Sequence, residues 1–267
     1  KIAKGYDIVQ GCRLPKGGGK ITSGAMPITH RYIGNPLFSF LTKILYKIPF
    51  NDVYCGMKIL RKDFFNNIKF FSTGMVFCLE ILIKSKINKA KMCELPITLY
   101  KDGRKIAKSH LKTISDGLKT LKFIMICSPK LLFFIPCGIF LLLIMIITFL
   151  NFNFSIMESK KMILTNFLML FLSIQFFMLG IYSTLRAKQI NIYKGNLLNK
   201  FFKLFKLRLA IIIGLAMIIT PIVTNYFNFV FFEENFNFMF SSLVALMGTN
   251  IIANSFFVSL LEIDEIN

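Results

Sequence analysis

The residues able to do chemistry in this sequence are few, and almost all of them lie ahead of residue 131. Arg13, Arg31 and Arg104 stand among lysines and glycines. A lone arginine is by default a solvated surface residue, yet its planar fork is also the side chain best shaped to grip phosphate oxygens two at a time. Asp52, inside NDVYCGMKILRKD (51–63), is either the carboxylate of an Asx turn before a strand or a group that reaches a site. Glu80 is the one acid within TGMVFCLEILIKSKI (73–87), where an unpaired charge would be costly, so it either pairs with an internal base or meets a ligand hydroxyl. Gly56 either permits a close backbone approach or marks a strand edge. His30, beside Arg31, and His110 read as structural or surface groups. The six cysteines, at 12, 55, 78, 93, 127 and 137, show no metal-ligand spacing, so packing is their expected role and neither zinc nor disulfides are indicated.

The elements that must position these residues alternate. YDIVQGC (6–12) is a short β-branched run closed by glycine, as in a buried strand. The Gly17, Gly18, Gly19 cluster that follows is expected to be a mobile loop. From Ile33, the apolar positions Leu37, Leu41, Ile44, Leu45 and Ile48 fall at helical spacing, with Pro36 near the helix start and Pro49 at its end. Residues 51–63 read as a turn entering a strand, 73–87 as a largely buried helix and MCELPITLY (92–100) as another strand. Three strands and their helices make part of an α/β domain, too few for a doubly covered sheet.

Composition places the remainder in a membrane. Hydrophobic residues make up 55% of the 267, with 31 Phe and a mean hydropathy of +0.61, which is too apolar for an ordinary soluble protein. Residues 131–150, 162–185, 209–232 and 236–261 hold no charged side chain and are each long enough to cross about 30 Å of hydrocarbon as helix. Four transmembrane helices are therefore expected over 131–267, after a region 1–110 and a juxtamembrane amphipathic helix at 111–130. In that helix Leu111, Ile114, Leu118, Leu121 and Met125 share a face while Lys112, Lys119 and Lys122 lie elsewhere, a pattern suited to the membrane interface.

The net charge of +20 could point to nucleic acid, but its distribution points to topology. The loop 186–208 holds seven basic residues and no acid, so the positive-inside rule puts this loop, the first 130 residues and the C-terminus in the cytoplasm. No charged residue lies in any expected span, which disfavours a channel or carrier. Small and polar residues in the last two spans permit a homo-oligomer.

Four blocks in order, GAMPITHRYIGNP (24–36), NDVYCGMKILRKD (51–63), TGMVFCLEILIK (73–84) and ELPITLYKDGRKIAKSHLKTISDGLKTLKFI (94–124), resemble family 2 glycosyltransferases of the polyprenyl-phosphate glucose or mannose synthase type. The resemblance implies the C-terminal half of a cytoplasmic GT-A, Rossmann-like catalytic domain. Such an enzyme moves a hexose from a UDP- or GDP-linked nucleotide sugar to a polyprenyl phosphate at the membrane face. It further implies a divalent metal, Mg2+ or Mn2+, held by an Asp-x-Asp motif. That motif belongs ahead of YDIVQGC and is not in this chain, so an N-terminal truncation is expected and the fragment by itself should be inactive.

By position in those blocks, Asp52, Arg31 and Arg104 are the implied catalytic residues, the two arginines for the acceptor phosphate and the donor pyrophosphate. Arg13, Gly56, Lys58 and Glu80 are the implied substrate-binding residues. The chain departs from the pattern at Val76, where relatives often carry Glu, and at Lys58, where an Arg is frequent and the bidentate fork is lost. A catalytically silent scaffold, or a partner of a flippase, is the alternative to an enzyme.

Overall fold

Ile8–Cys12 forms strand β1, and all five of its residues are buried, as the apolar β-branched run demands. In the computed structural model, which describes residues 1–103, 113–154, 158–193, 207–226 and 234–263, β1 belongs to the first of two units, Lys1–Cys127 with Ile190–Ile192. It is the middle strand of a three-stranded sheet. Strand β4 (Met92–Pro96) runs parallel to it and β3 (Lys58–Leu60) antiparallel, in the order β3-β1-β4. The strand expected over 92–100 is broken at Ile97: Thr98–Leu99 is a separate strand, β5, which pairs in parallel with β2 (Lys20–Ile21).

Four helices accompany these strands. Helix α1 (Asn35–Tyr46) follows a wide π turn at His30–Gly34, α2 (Lys62–Asn66) is a single short turn, and α3 (Gly74–Ile87) is buried from Leu79 through Ser85, as its nearly unbroken apolar run requires. Helix α4 (Thr113–Cys127) packs Phe123, Ile124 and Cys127 inward. The glycine cluster is a packed turn rather than the open loop that its composition alone implies. Pro15–Gly17 is a 3-10 turn closed by Gly18 at φ 82°, and a Cβ on Gly19 would stand 2.5 Å from the carbonyl carbon of Arg13.

The second unit, Ser128–Gln189 with Tyr193–Asn267, is helical among its described residues: a π turn at Lys130–Phe134, then α5 (Ile135–Phe154), α6 (Ser159–Gln189), α7 (Leu207–Tyr226) and α8 (Glu234–Ile263). Among the described residues three segments are long and apolar enough to cross a membrane, Lys130–Phe154, Ser159–Gln189 and Phe240–Ser259, and Leu207–Val223 is a shorter apolar helix. Part of the expected span 209–232 lies outside the described residues.

Polar side chains lock these helices together. Asn166 donates to Thr148 Oγ1 at 2.9 Å, and Tyr182 donates to Asn254 Oδ1 at 2.6 Å. Between α7 and α8 the backbones nearly touch: a Cβ on Gly214 would lie 2.8 Å from the carbonyl oxygen of Gly248, and one on Gly248 would lie 2.5 Å from that of Gly214. Small residues at helix crossings permit this approach in an apolar solvent. Gly248→Ala should therefore cost about 1–3 kcal/mol through overpacking, measured as a lower thermal midpoint of the detergent-solubilised chain, whereas Gly138→Ala, which faces open space, should leave the midpoint unchanged.

Candidate active site

The best-connected polar cluster begins at two residues paired across β1 and β4, Gln10 and Glu94. Both reach the loop at 51–52 that precedes the YCGMK segment. Glu94 Oε1 accepts the backbone N–H of Asp52 at 2.9 Å and that of Asn51 at 3.0 Å, while Oε2 accepts the side-chain amide of Asn51 at 2.9 Å. Gln10 donates to the carbonyl of Asp52. Held from below, Asp52 is fully buried and meets Arg13. Its Oδ2 accepts the Arg13 backbone N–H at 3.0 Å and Nε at 2.7 Å, and its Oδ1 accepts an Nη at 2.8 Å. Burial alone would pull the Arg13 pKa down, but the hydrogen bonds and charge of Asp52 outweigh it and raise the guanidinium above its ordinary value.

Asp52 and Arg13 are thus brought together as a bidentate pair, and both Asp52 oxygens are committed to it. Lys58 lies close by and donates to the Cys55 carbonyl; burial holds its ammonium below the usual lysine range. Gly56 has open space where a Cβ would go, so packing does not require a glycine there. Burial, and then the charge of Glu94, pushes the Cys12 thiol up to about 12, which leaves it protonated and unreactive. All six cysteines are free.

Arg31, in the π turn, lines a cleft of about 280 Å³ together with Lys16 and Lys43. Its apolar walls come from Tyr32, Pro36, Phe40 and Phe50, and Leu14 and Asn51, the chain neighbours of Arg13 and Asp52, complete it. Among the described residues no acid lines the cleft. Arg31 is half-buried, its guanidinium stands 5.3 Å from the Tyr32 ring centroid, and its Nε is buried with no hydrogen-bond partner. Arg31 therefore shares its cleft with Leu14 and Asn51, the residues next in the chain to Arg13 and Asp52, and the cleft can hold an anion with an apolar tail. Arg104, with Lys105, Lys108 and His110, lies outside the described residues. Among the described residues no three of His, Cys, Asp and Glu converge as a metal would require, so the expected divalent cation finds no ligand set there.

Glu80 sits elsewhere, fully buried in α3. It forms an ion pair with Lys84 at 2.7 Å and accepts the backbone N–H groups of Phe71 at 3.0 Å and Ser72 at 2.7 Å. Lys84 donates to the Lys69 carbonyl and lies 4.5 Å from the Phe71 ring centroid. Of the two readings open from sequence, internal pairing accounts for the Glu80 carboxylate, which clasps residues 69–72 to α3. Burial works to raise its pKa, but the hydrogen bonds of Lys84, Ser72 and Phe71 prevail and hold it below its ordinary value of 4.5.

Comparison with known proteins adds an independent observation. Over 131 residues the chain is 29% identical to the low-salt glycan biosynthesis hexosyltransferase Agl6 of Haloferax volcanii, a match over 49% of this chain and 30% of that protein. The chain is similar to a hexosyltransferase. No family model matches it. The chain spans less than a third of that relative's length.

Glu94 was not among the residues singled out from sequence. Its one local sign is an acid flanked by Cys93 and Leu95 in a strand, and its partners lie 42 and 43 residues away. Glu94→Gln, which replaces an acceptor with an N–H2 facing N–H donors, should destabilise the protein by about 1–3 kcal/mol, read from denaturant unfolding. Lys84→Met leaves the buried Glu80 carboxylate without its cation and should cost about 3–5 kcal/mol; adding Glu80→Gln should recover part of the loss. Because the Glu80 pKa is depressed on folding, the unfolded chain takes up this proton first. The pair's contribution is therefore fully present above pH 4.5 and fades as pH falls through that value and below it. An acid titration of stability should show this loss in the wild type and lack it in the double variant.

Proposed function

We propose that this chain is the acceptor-side part of a membrane-bound, family 2 hexosyltransferase that passes a hexose from a UDP- or GDP-linked sugar to a polyprenyl phosphate at the cytoplasmic face. The observation that carries the reading is the cationic, acid-free cleft of Lys16, Arg31 and Lys43 with apolar walls beside the Arg13–Asp52 pair. An anion joined to a hydrocarbon chain needs that combination, and the similarity to a hexosyltransferase supports the reaction class.

The reaction brings two anions together. At about 4 Å and an effective dielectric of 20, two like unit charges repel by about 4 kcal/mol, so the meeting point has to be cationic. In this reading Arg31 and Lys43 hold the lipid phosphate and Arg13, fixed by Asp52, lies toward the donor. A phosphate oxygen attacks the anomeric carbon while the bond from that carbon to the nucleoside diphosphate oxygen breaks, and the diphosphate leaves with the electron pair. A phosphate monoester with a second pKa near 6 is already mostly dianionic at neutral pH, so no general base is needed. Asp52 accordingly serves as a positioning residue for Arg13. The open space at Gly56 lies on the same loop as Asp52 and leaves room for a substrate group.

Full-length protein supplied with a divalent metal, a radiolabelled nucleotide sugar and polyprenyl phosphate should yield a label that partitions into organic solvent. No such product from any UDP- or GDP-linked hexose, with a folded full-length protein, would leave a silent scaffold as the reading. In the active enzyme Arg31→Ala should lower kcat/KM for the lipid acceptor by about 10- to 100-fold, the loss expected for a charged hydrogen bond of roughly 1.5–3 kcal/mol, and Arg31→Lys should restore part of it.

A further inference from the structure

The cleft of the first unit carries more positive charge than a single phosphate group can balance. Arg13 is committed to Asp52. Lys16, Arg31 and Lys43, which line the cleft, have no acidic partner among the described residues. A phosphate monoester brings about −1.5 to −2 charges at neutral pH. One such group therefore leaves roughly one positive charge unmatched in a recess walled by Leu14, Tyr32, Pro36, Phe40 and Phe50. A diphosphate adds a second phosphoryl group and about one more negative charge.

We propose that the cleft binds a lipid diphosphate in preference to the lipid monophosphate, so that the diphosphate competes with the acceptor for its berth. The donors divide to suit two phosphoryl groups. The Nε of Arg31 is buried without a hydrogen-bond partner, and with a neighbouring Nη it forms an edge that can take two oxygens of one group. The ammonium groups of Lys16, on the Pro15–Gly17 turn, and of Lys43, on α1, each with three donors, are left for the other. At about 280 Å³ the cleft is at the small end of ligand pockets, which suits a charged headgroup with the first carbons of its chain rather than a whole lipid. Inorganic diphosphate offers the same anionic chemistry but leaves the apolar walls uncovered. The inference rests on the acceptor reading of this cleft and adds its regulation: transfer is throttled wherever the lipid still carries its second phosphate.

Equilibrium binding of tritiated farnesyl phosphate and farnesyl diphosphate to the detergent-solubilised chain tests this. Farnesyl diphosphate should bind about 10-fold tighter or more, the gain from one further charged hydrogen bond, and each ligand should displace the other. Inorganic diphosphate should need at least about 10-fold higher concentration to displace either, the loss expected when about two CH2 groups go unburied. Lys16→Gln, a change at an exposed side chain, should bring the ratio of the two farnesyl affinities toward one, and Arg31→Ala should weaken both ligands. Equal or tighter binding of the monophosphate would overturn the proposal, and so would a ratio unmoved by Lys16→Gln. Inorganic diphosphate as potent as the farnesyl ester would overturn it too, because a free anion and not a lipid would then be the ligand. Failure of the transferase reading looks different: no labelled lipid product forms from the full-length protein while the affinity ratio stays intact, whereas product formation with a ratio of one sinks the diphosphate alone.

Discussion

The half-buried carboxylate of Glu94 is the constraint on which the polar cluster of the first unit depends. It receives three N–H groups from Asn51 and Asp52, and with Gln10 it fixes the loop that places Asp52 under Arg13. An isolated charge buried as Asp52 is would be costly, and it is tolerated because both its oxygens are hydrogen-bonded to Arg13. The result is a guanidinium whose direction is set by the sheet rather than by its own flexible stem. A preorganised cation of this kind costs little to bring to a phosphate at the moment of binding.

A second constraint is where each unit leaves its apolar surface. In the first unit α1 turns its polar side into the protein and its apolar side out, while β1 and α3 are buried in the ordinary way. In the second unit apolar side chains face outward along helices that cohere through Tyr182–Asn254, Asn166–Thr148 and the glycine crossing of α7 and α8. Between apolar helices in lipid the hydrophobic effect supplies no preference, so contact must come from close packing and hydrogen bonds. The same physical logic explains why the polar residues of these helices recur at helix contacts.

The elements were legible in the sequence where local pattern decides them. The run at 8–12 is a buried strand, the apolar run at 73–87 holds a buried helix, and the uncharged segments 131–150 and 162–185 lie in long helices, as local pattern implies. Which face of α1 would be buried was not legible, because periodicity reports that a helix has two faces and not which solvent each meets. Glu80 and Lys84 stand four apart, so their pairing could be read from spacing alone. Arg13 and Asp52 were both visible as candidates, but their mutual bond spans 39 residues and depends on the register of β1 against β4. Glu94 escaped notice for the same reason, and the glycine cluster was misread because close approach to the Arg13 backbone is a tertiary fact.

Commitment of both Asp52 oxygens to Arg13 narrows the chemistry that this part of a site can perform. A carboxylate so engaged turns both oxygens toward Arg13 and presents neither to a substrate hydroxyl. A hydroxyl acceptor would need a base here. A phosphate acceptor brings its own nucleophilic charge and needs only cations and an apolar berth, which is what Lys16, Arg31 and Lys43 with Phe40 and Phe50 provide. The proposed acceptor class thus follows from what the site's one buried acid is prevented from doing as much as from what its cations offer.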